Sequence, residues 1–128
     1  MKTSYRRLTD TRWIAALATI PVLMAASAFH LELMESYPDE DQVLEESPSE
    51  IWLRFSGPPN LEETSFSVRG ATGRVQLSDI VAGEEAEVIR ASVAEPLEDG
   101  EYALSWVAAP EGDHAVRGRY SFTVETGR

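Results

Sequence analysis

His30 and His114 are the only imidazoles in this 128-residue sequence. Neutral imidazole is the commonest protein ligand for Cu(II), Zn(II) and Ni(II). Glu111 and Asp113 stand beside His114 and offer carboxylate oxygens. His30 falls at or next to the first residue left once an N-terminal export segment is removed, so a free α-amine would add a second nitrogen there. Two imidazoles and an amine form a nitrogen-rich, tetragonal donor set, which suits Cu(II) by geometry and by the Irving–Williams order. The plainer role of each histidine is an exposed or hydrogen-bonded side chain, and spacing alone does not bring the two together. Met34 is a soft donor of the kind Cu(I) takes, but packing is the ordinary role of a single methionine.

Other chemistries lack their residues. The chain has no cysteine, which excludes a disulfide framework, a thiolate nucleophile and Cys-based zinc or iron–sulfur sites. It has no G-x-S-x-G, no phosphate-cradling glycine loop and no H-E-x-x-H. The acids Glu32, Glu35, Asp39, Glu40, Asp41, Glu45, Glu46 and Glu50 lack the spacing of a calcium loop and read as a solvated face. The expectation is a binding protein rather than an enzyme.

The formal net charge is −11, unevenly spread. Lys2, Arg6, Arg7 and Arg12 fall in the first dozen residues, whereas from residue 29 onward there are seven Arg, no Lys and 21 Asp plus Glu. Such a surface repels nucleic acid and anionic lipid and attracts cations or a basic partner. No nucleic-acid partner is expected.

The basic opening is followed by an apolar run, Trp13 to Ala28, that ends in the small-x-small triplet Ala26-Ser27-Ala28. This is the pattern of a secretory signal peptide over residues 1–28, with export to the periplasm or its equivalent. The run is short for a spanning helix and holds Pro21. Residues 29–128 then form one domain, enough for one core and no more.

That domain must position the histidines with strands. Apolar residues alternate with polar ones over Ile51–Phe55, around Phe66 and Val68, around Val75 and Leu77, from Ile89 to Val93, over Tyr102–Trp106 and over Tyr120–Val124. Turn formers fall between them: Ser56-Gly57-Pro58-Pro59-Asn60, Gly70-Ala71-Thr72-Gly73, Ala82-Gly83-Glu84, Glu98-Asp99-Gly100 and Pro110-Glu111-Gly112-Asp113. The spacing predicts an all-β sandwich or small barrel of six or seven strands, with Trp106 as a core anchor. Parity turns His30 away from the core and allows His114 partial burial. No segment has sustained helical periodicity, and not even a helical turn is expected over Asp39 to Glu46, the one stretch that could form one. A first strand and a last hairpin of such a fold can meet at one end, which would let the histidines converge.

Four segments, in order, resemble the CopC-type periplasmic copper resistance proteins. His30-Leu31-Glu32-Leu33-Met34-Glu35-Ser36-Tyr37-Pro38 is similar to the family's opening, a histidine followed by L-x-x-S-x-P. Pro48 to Ser56 resembles its P-x-x-I-x-L-x-F-S strand, Pro96 to Trp106 its P-L-x-x-G-x-Y-x-V-x-W strand, and His114 to Val124 its closing H-P-x-x-G-x-Y-x-F-x-V.

The resemblance implies an immunoglobulin-like Greek-key β-sandwich of about seven strands. It implies Cu(II) held by an N-terminal amine and histidine, an aspartate and a second histidine, and a monomer serving an inner-membrane CopD-type transport protein. The histidines correspond to His30 and His114. The family's D-x-H would put its aspartate where this chain has Gly112, leaving Glu111 and Asp113 on either side. Cleavage after Ala28 would also leave Phe29 ahead of His30. The competing expectation is a metal-free immunoglobulin-like interaction module with a degenerate copper site. A third, oxidative catalysis at a histidine-brace copper centre, lacks an extended aromatic substrate platform.

Overall fold

Runs of period-two alternation become strands, and the glycine- and proline-rich stretches become the connections between them. The computed structural model describes residues 30–127. The expected signal segment, its cleavage point and Phe29 lie outside the described residues. Nine strands are present among them: β1 (Leu33–Tyr37), β2 (Val43–Leu44), β3 (Glu50–Phe55), β4 (Ser65–Gly70), β5 (Gly73–Arg74), β6 (Val81–Ala82), β7 (Val88–Ser92), β8 (Gly100–Ala108) and β9 (Val116–Val124), with a short 3-10 helix at Leu61–Glu63.

They form two sheets, one in the order β1-β3-β7-β6 and one in the order β2-β9-β8-β4-β5. All pairings are antiparallel except β2 with β9, which is parallel. The inward residues of both sheets make one core: Ile51, Leu53 and Phe55 from β3, Phe66 and Val68 from β4, Tyr102, Leu104 and Trp106 from β8, and Tyr120, Phe122 and Val124 from β9. This is the expected β-sandwich, and Trp106 is its anchor: the indole is buried and meets Phe55 edge-on, 5.3 Å between ring centroids.

Two tyrosines tie the strand ends. Tyr102 donates its hydroxyl to the carbonyl of Glu98 at 2.6 Å, the corner that immunoglobulin-like sandwiches carry at this strand. Tyr120 donates to the Pro38 carbonyl at 2.7 Å and joins β9 to the segment after β1. A buried phenol gains a net of about 1 kcal/mol from such a bond, and leaving either partner unpaired costs more.

Three details go beyond what alternation alone shows. The strand expected around Val75 and Leu77 is a crossover: β5 belongs to the five-stranded sheet, whereas Leu77 bridges Val93, just past β7 of the other sheet. Both side chains still pack on the core, so the alternation is real while the backbone changes sheets. Asp39 to Glu46 forms a turn, closed by Gln42 N–H to the Asp39 carbonyl at 3.2 Å, and then β2, not a helix. β1 carries a bulge between Leu33 and Glu35, which shifts its inward parity midway.

Candidate metal site

One end of the sandwich gathers the segment before β1, the loop from Ser56 to Thr64 after β3, and the loop from Ala109 to Ala115 between β8 and β9. Register fixes this, since Leu33 faces Phe55, Ser65 faces Val107 and Ala108 faces Val116. Each segment is stitched to its neighbour. The Ser56 N–H donates to the Glu32 carbonyl at 2.8 Å, and the Glu32 N–H returns to Ser56 Oγ at 3.0 Å. The Asn60 N–H donates to the Ala109 carbonyl at 2.8 Å, while the Ala109 N–H reaches Thr64 Oγ1 at 3.4 Å. Thr64 is buried here, and its hydroxyl oxygen serves as the acceptor. Asn60 Oδ1 also accepts the Glu62 N–H at 3.0 Å and caps the short 3-10 helix.

These bonds shape an open groove lined by His30 and Leu31, by Ser56 to Asn60, by Glu62, and by Pro110 and Glu111. Leu31 is buried in the core and leaves His30 exposed at the groove, as strand parity predicts. The structure therefore brings two of the four expected site residues, His30 and Glu111, to one groove. Glu62 shares it, and sequence reading missed this residue: it sits in the short 3-10 helix with no metal-like spacing, on the segment that the Asn60–Ala109 and Ala109–Thr64 bonds hold at this end.

His114 and Asp113 share a loop with Glu111 but do not line the groove. His114 is exposed rather than partly buried, because β9 begins only at Val116 and position 114 has no strand parity. The Asp113 N–H donates to the Pro110 carbonyl at 3.3 Å, closing a turn with Gly112 at φ +79°. Asp113 Oδ1 accepts the backbone N–H of His114 at 2.7 Å, so this carboxylate is held locally. Imidazole nitrogen and carboxylate oxygen fit a borderline divalent ion by donor type. As they stand, no three His, Asp or Glu side chains among the described residues are close enough together to hold a metal ion.

The sheet order, the tyrosine corner and the stitched loop end define a class, the small two-sheet sandwich that carries its polar loops at one end. The CopC domain family matches residues 33–125, and the chain belongs to that family. The fold agrees with solved structures. PcoC of Escherichia coli, described as a methionine-rich copper resistance protein, is 26% identical with a TM-score of 0.68, over 75% of this chain and 99% of that one. A selenomethionine form of PcoC is similar at 25% identity and a TM-score of 0.67, covering 73% of this chain and 99% of that one. CopC of Methylosinus trichosporium OB3b shares the fold at 24% identity and a TM-score of 0.67, over 75% and 94% of the two chains. No match was found among curated protein sequences. No helix among the described residues is long and apolar enough to cross a membrane.

Proposed function

We propose that the chain is an exported, periplasmic copper-binding protein of copper resistance or homeostasis. It holds Cu(II) at the loop end of the sandwich and carries or buffers it for a CopD-type membrane transporter. It acts by coordination and not by catalysis. His30 supplies an imidazole at the groove, and His114 supplies the second when the Ala109–Ala115 loop turns inward. Glu111 and Glu62 supply oxygens where the family's aspartate is replaced by Gly112. An N-terminal amine, freed by cleavage after Ala28 or Phe29, would complete a nitrogen-rich set.

The observation that carries this reading is that His30, Glu62 and Glu111 all line one open, stitched groove, at one end of a sandwich of the CopC family. Similarity to PcoC, a copper resistance protein, supports the choice of metal. The test is mass spectrometry of the exported protein with and without one equivalent of Cu(II). It fixes the first residue and the stoichiometry together; one bound copper is expected. Binding should weaken in acid, since protonated imidazole holds no metal.

A second reading, a metal-free interaction module, draws on the lack of a gathered three-residue cluster among the described residues. Copper that leaves the unfolding temperature unchanged would select it.

A further inference from the structure

Six arginines are described, and they divide by sheet. Arg54 and Arg90 lie on the outer face of the four-stranded sheet, and both have carboxylate partners: Arg54 pairs with Glu35 at 3.2 Å and with Glu85, and Arg90 with Glu50 at 3.9 Å. The other four, Arg69, Arg74, Arg117 and Arg119, lie on the outer face of the five-stranded sheet. Register puts them there. The inward residues of β8 are Tyr102, Leu104 and Trp106, so Glu101, Ala103, Ser105 and Val107 face out, together with their pairs Thr123, Ser121, Arg119 and Arg117 on β9 and Arg69, Ser67 and Ser65 on β4. Arg69 in turn faces Arg74 on β5.

None of these four arginines makes an ion pair with a described residue, and all are exposed. Glu101 is the single acid among the outward positions of those strands. A chain with 21 acids after residue 28 has therefore left one face positive. Between the arginine-bearing strands runs the outward row of β8, Glu101, Ala103, Ser105 and Val107, with Ser121 of β9 and Ser67 of β4 beside it. β9 and β4 stand two strand spacings apart, about 10 Å. The face is thus a shallow trough with guanidinium groups on both banks and the hydroxyls of Ser67, Ser105 and Ser121 side by side or nearly so across its middle.

We propose that this trough docks an acidic polypeptide segment of a partner protein. Guanidinium forks take carboxylates two-pronged, and serine hydroxyls offer hydrogen bonds to a chain laid between them. The occupant must be narrow, because the rest of the chain carries almost all of the 21 acids that follow residue 28. A broad anionic surface such as a membrane would meet that surrounding charge as well as the arginines and be repelled by it. The long apolar side chains that would enter a bilayer are also missing from the bed.

The test uses the mature, exported chain and a labelled peptide of about ten glutamates, followed by fluorescence anisotropy at low salt. Saturable binding that falls as salt rises is expected. The pairs Arg117→Ser with Arg119→Ser, and Arg69→Ser with Arg74→Ser, should each weaken it about tenfold, while Arg54→Ser with Arg90→Ser changes it less than about twofold. Ser105→Trp, which fills the bed without altering charge, should weaken it as well. No binding, equal binding by the arginine pairs and the parent, or an unaffected Ser105→Trp overturns the proposal. So does tighter binding to phosphatidylglycerol vesicles than to the peptide, which would assign the face to a lipid surface.

Discussion

The indole of Trp106 rests on Gly118: a β-carbon at 118 would stand 2.4 Å from the ring. The two residues face each other across β8 and β9, and the indole also makes an edge-type contact with Phe55. Trp106 and Phe55 close the core just beneath the loops that carry Glu62, Glu111 and His114. Gly118→Ala must therefore push a large ring into a filled core. We expect a loss of about 3 kcal/mol, read as a fall in unfolding temperature of about 15 °C. The tryptophan emission should shift with it. An unfolding temperature within about two degrees of the parent would show that the indole has room to move.

Gly112 tests how the loop has diverged. Its φ of +79° lies in the left-handed region, and space around it is open, with nothing within 4 Å of where a β-carbon would stand. Gly112→Asp therefore costs backbone strain of about 1 kcal/mol and no clash. It also restores the carboxylate that the family resemblance expects. Cu(II) affinity, measured by competition with a chelator, should rise about tenfold while the unfolding temperature of the metal-free protein drops a few degrees. Unchanged affinity would mean that the loop holds position 112 away from the metal.

His30, His114 and Glu62 should separate by size of effect. His30→Ala and His114→Ala each remove an imidazole, and each should lower Cu(II) affinity by about a hundredfold or more. Glu62→Gln keeps the shape and the Asn60 cap, removes one charge, and should cost about tenfold. Asp113→Asn should have a smaller effect, because Asp113 Oδ1 is already engaged by the His114 N–H. All four side chains are exposed, so apo-protein stability should stay within about 0.5 kcal/mol of the parent. Retained affinity in either histidine variant removes that residue from the site.

Strands that bury one face over five or more residues were legible because every second residue must be apolar: β3, β8 and β9 alternate without a break. β1 was not, since the bulge at Leu33–Glu35 changes parity within five residues. β2 and β6 have two residues each, too few for any period to show. At the site, motif similarity picked out His30 and His114, Glu111 and Asp113 were named only as neighbours of the Gly112 gap, and of the four His30 and Glu111 line the groove. Glu62 was hidden because its place depends on two bonds to Ala109, some 45 residues away, one from the Asn60 N–H to the Ala109 carbonyl and one from the Ala109 N–H to Thr64 Oγ1, which leave no mark in local sequence. The arginine face was hidden for a related reason. Net charge averages over the whole surface, whereas strand pairing sorts Arg69, Arg74, Arg117 and Arg119 onto one side.

Tyr120 sets the alkaline limit. Burial, the largest cause, pushes its phenol up to about 12; the Asp39 carboxylate adds to this, and a hydrogen bond with Ser36 opposes it. In the unfolded chain the phenol ionises near 10. Below pH 10 both states hold the proton, and the contribution to stability is whole. As pH rises from 10 through 12 the unfolded chain releases the proton while the fold resists, and stability is lost, on the order of 2 kcal/mol by the top of the range. Tyr102, raised chiefly by burial and then by Glu98, acts in the same direction. Urea unfolding at a series of pH values should show the midpoint falling above pH 10. In Tyr120→Phe that fall should be shallower, from a start about 1 kcal/mol lower because the Pro38 carbonyl has lost its donor. An equal slope in the variant would place the alkaline transition elsewhere than at the Tyr120–Pro38 bond.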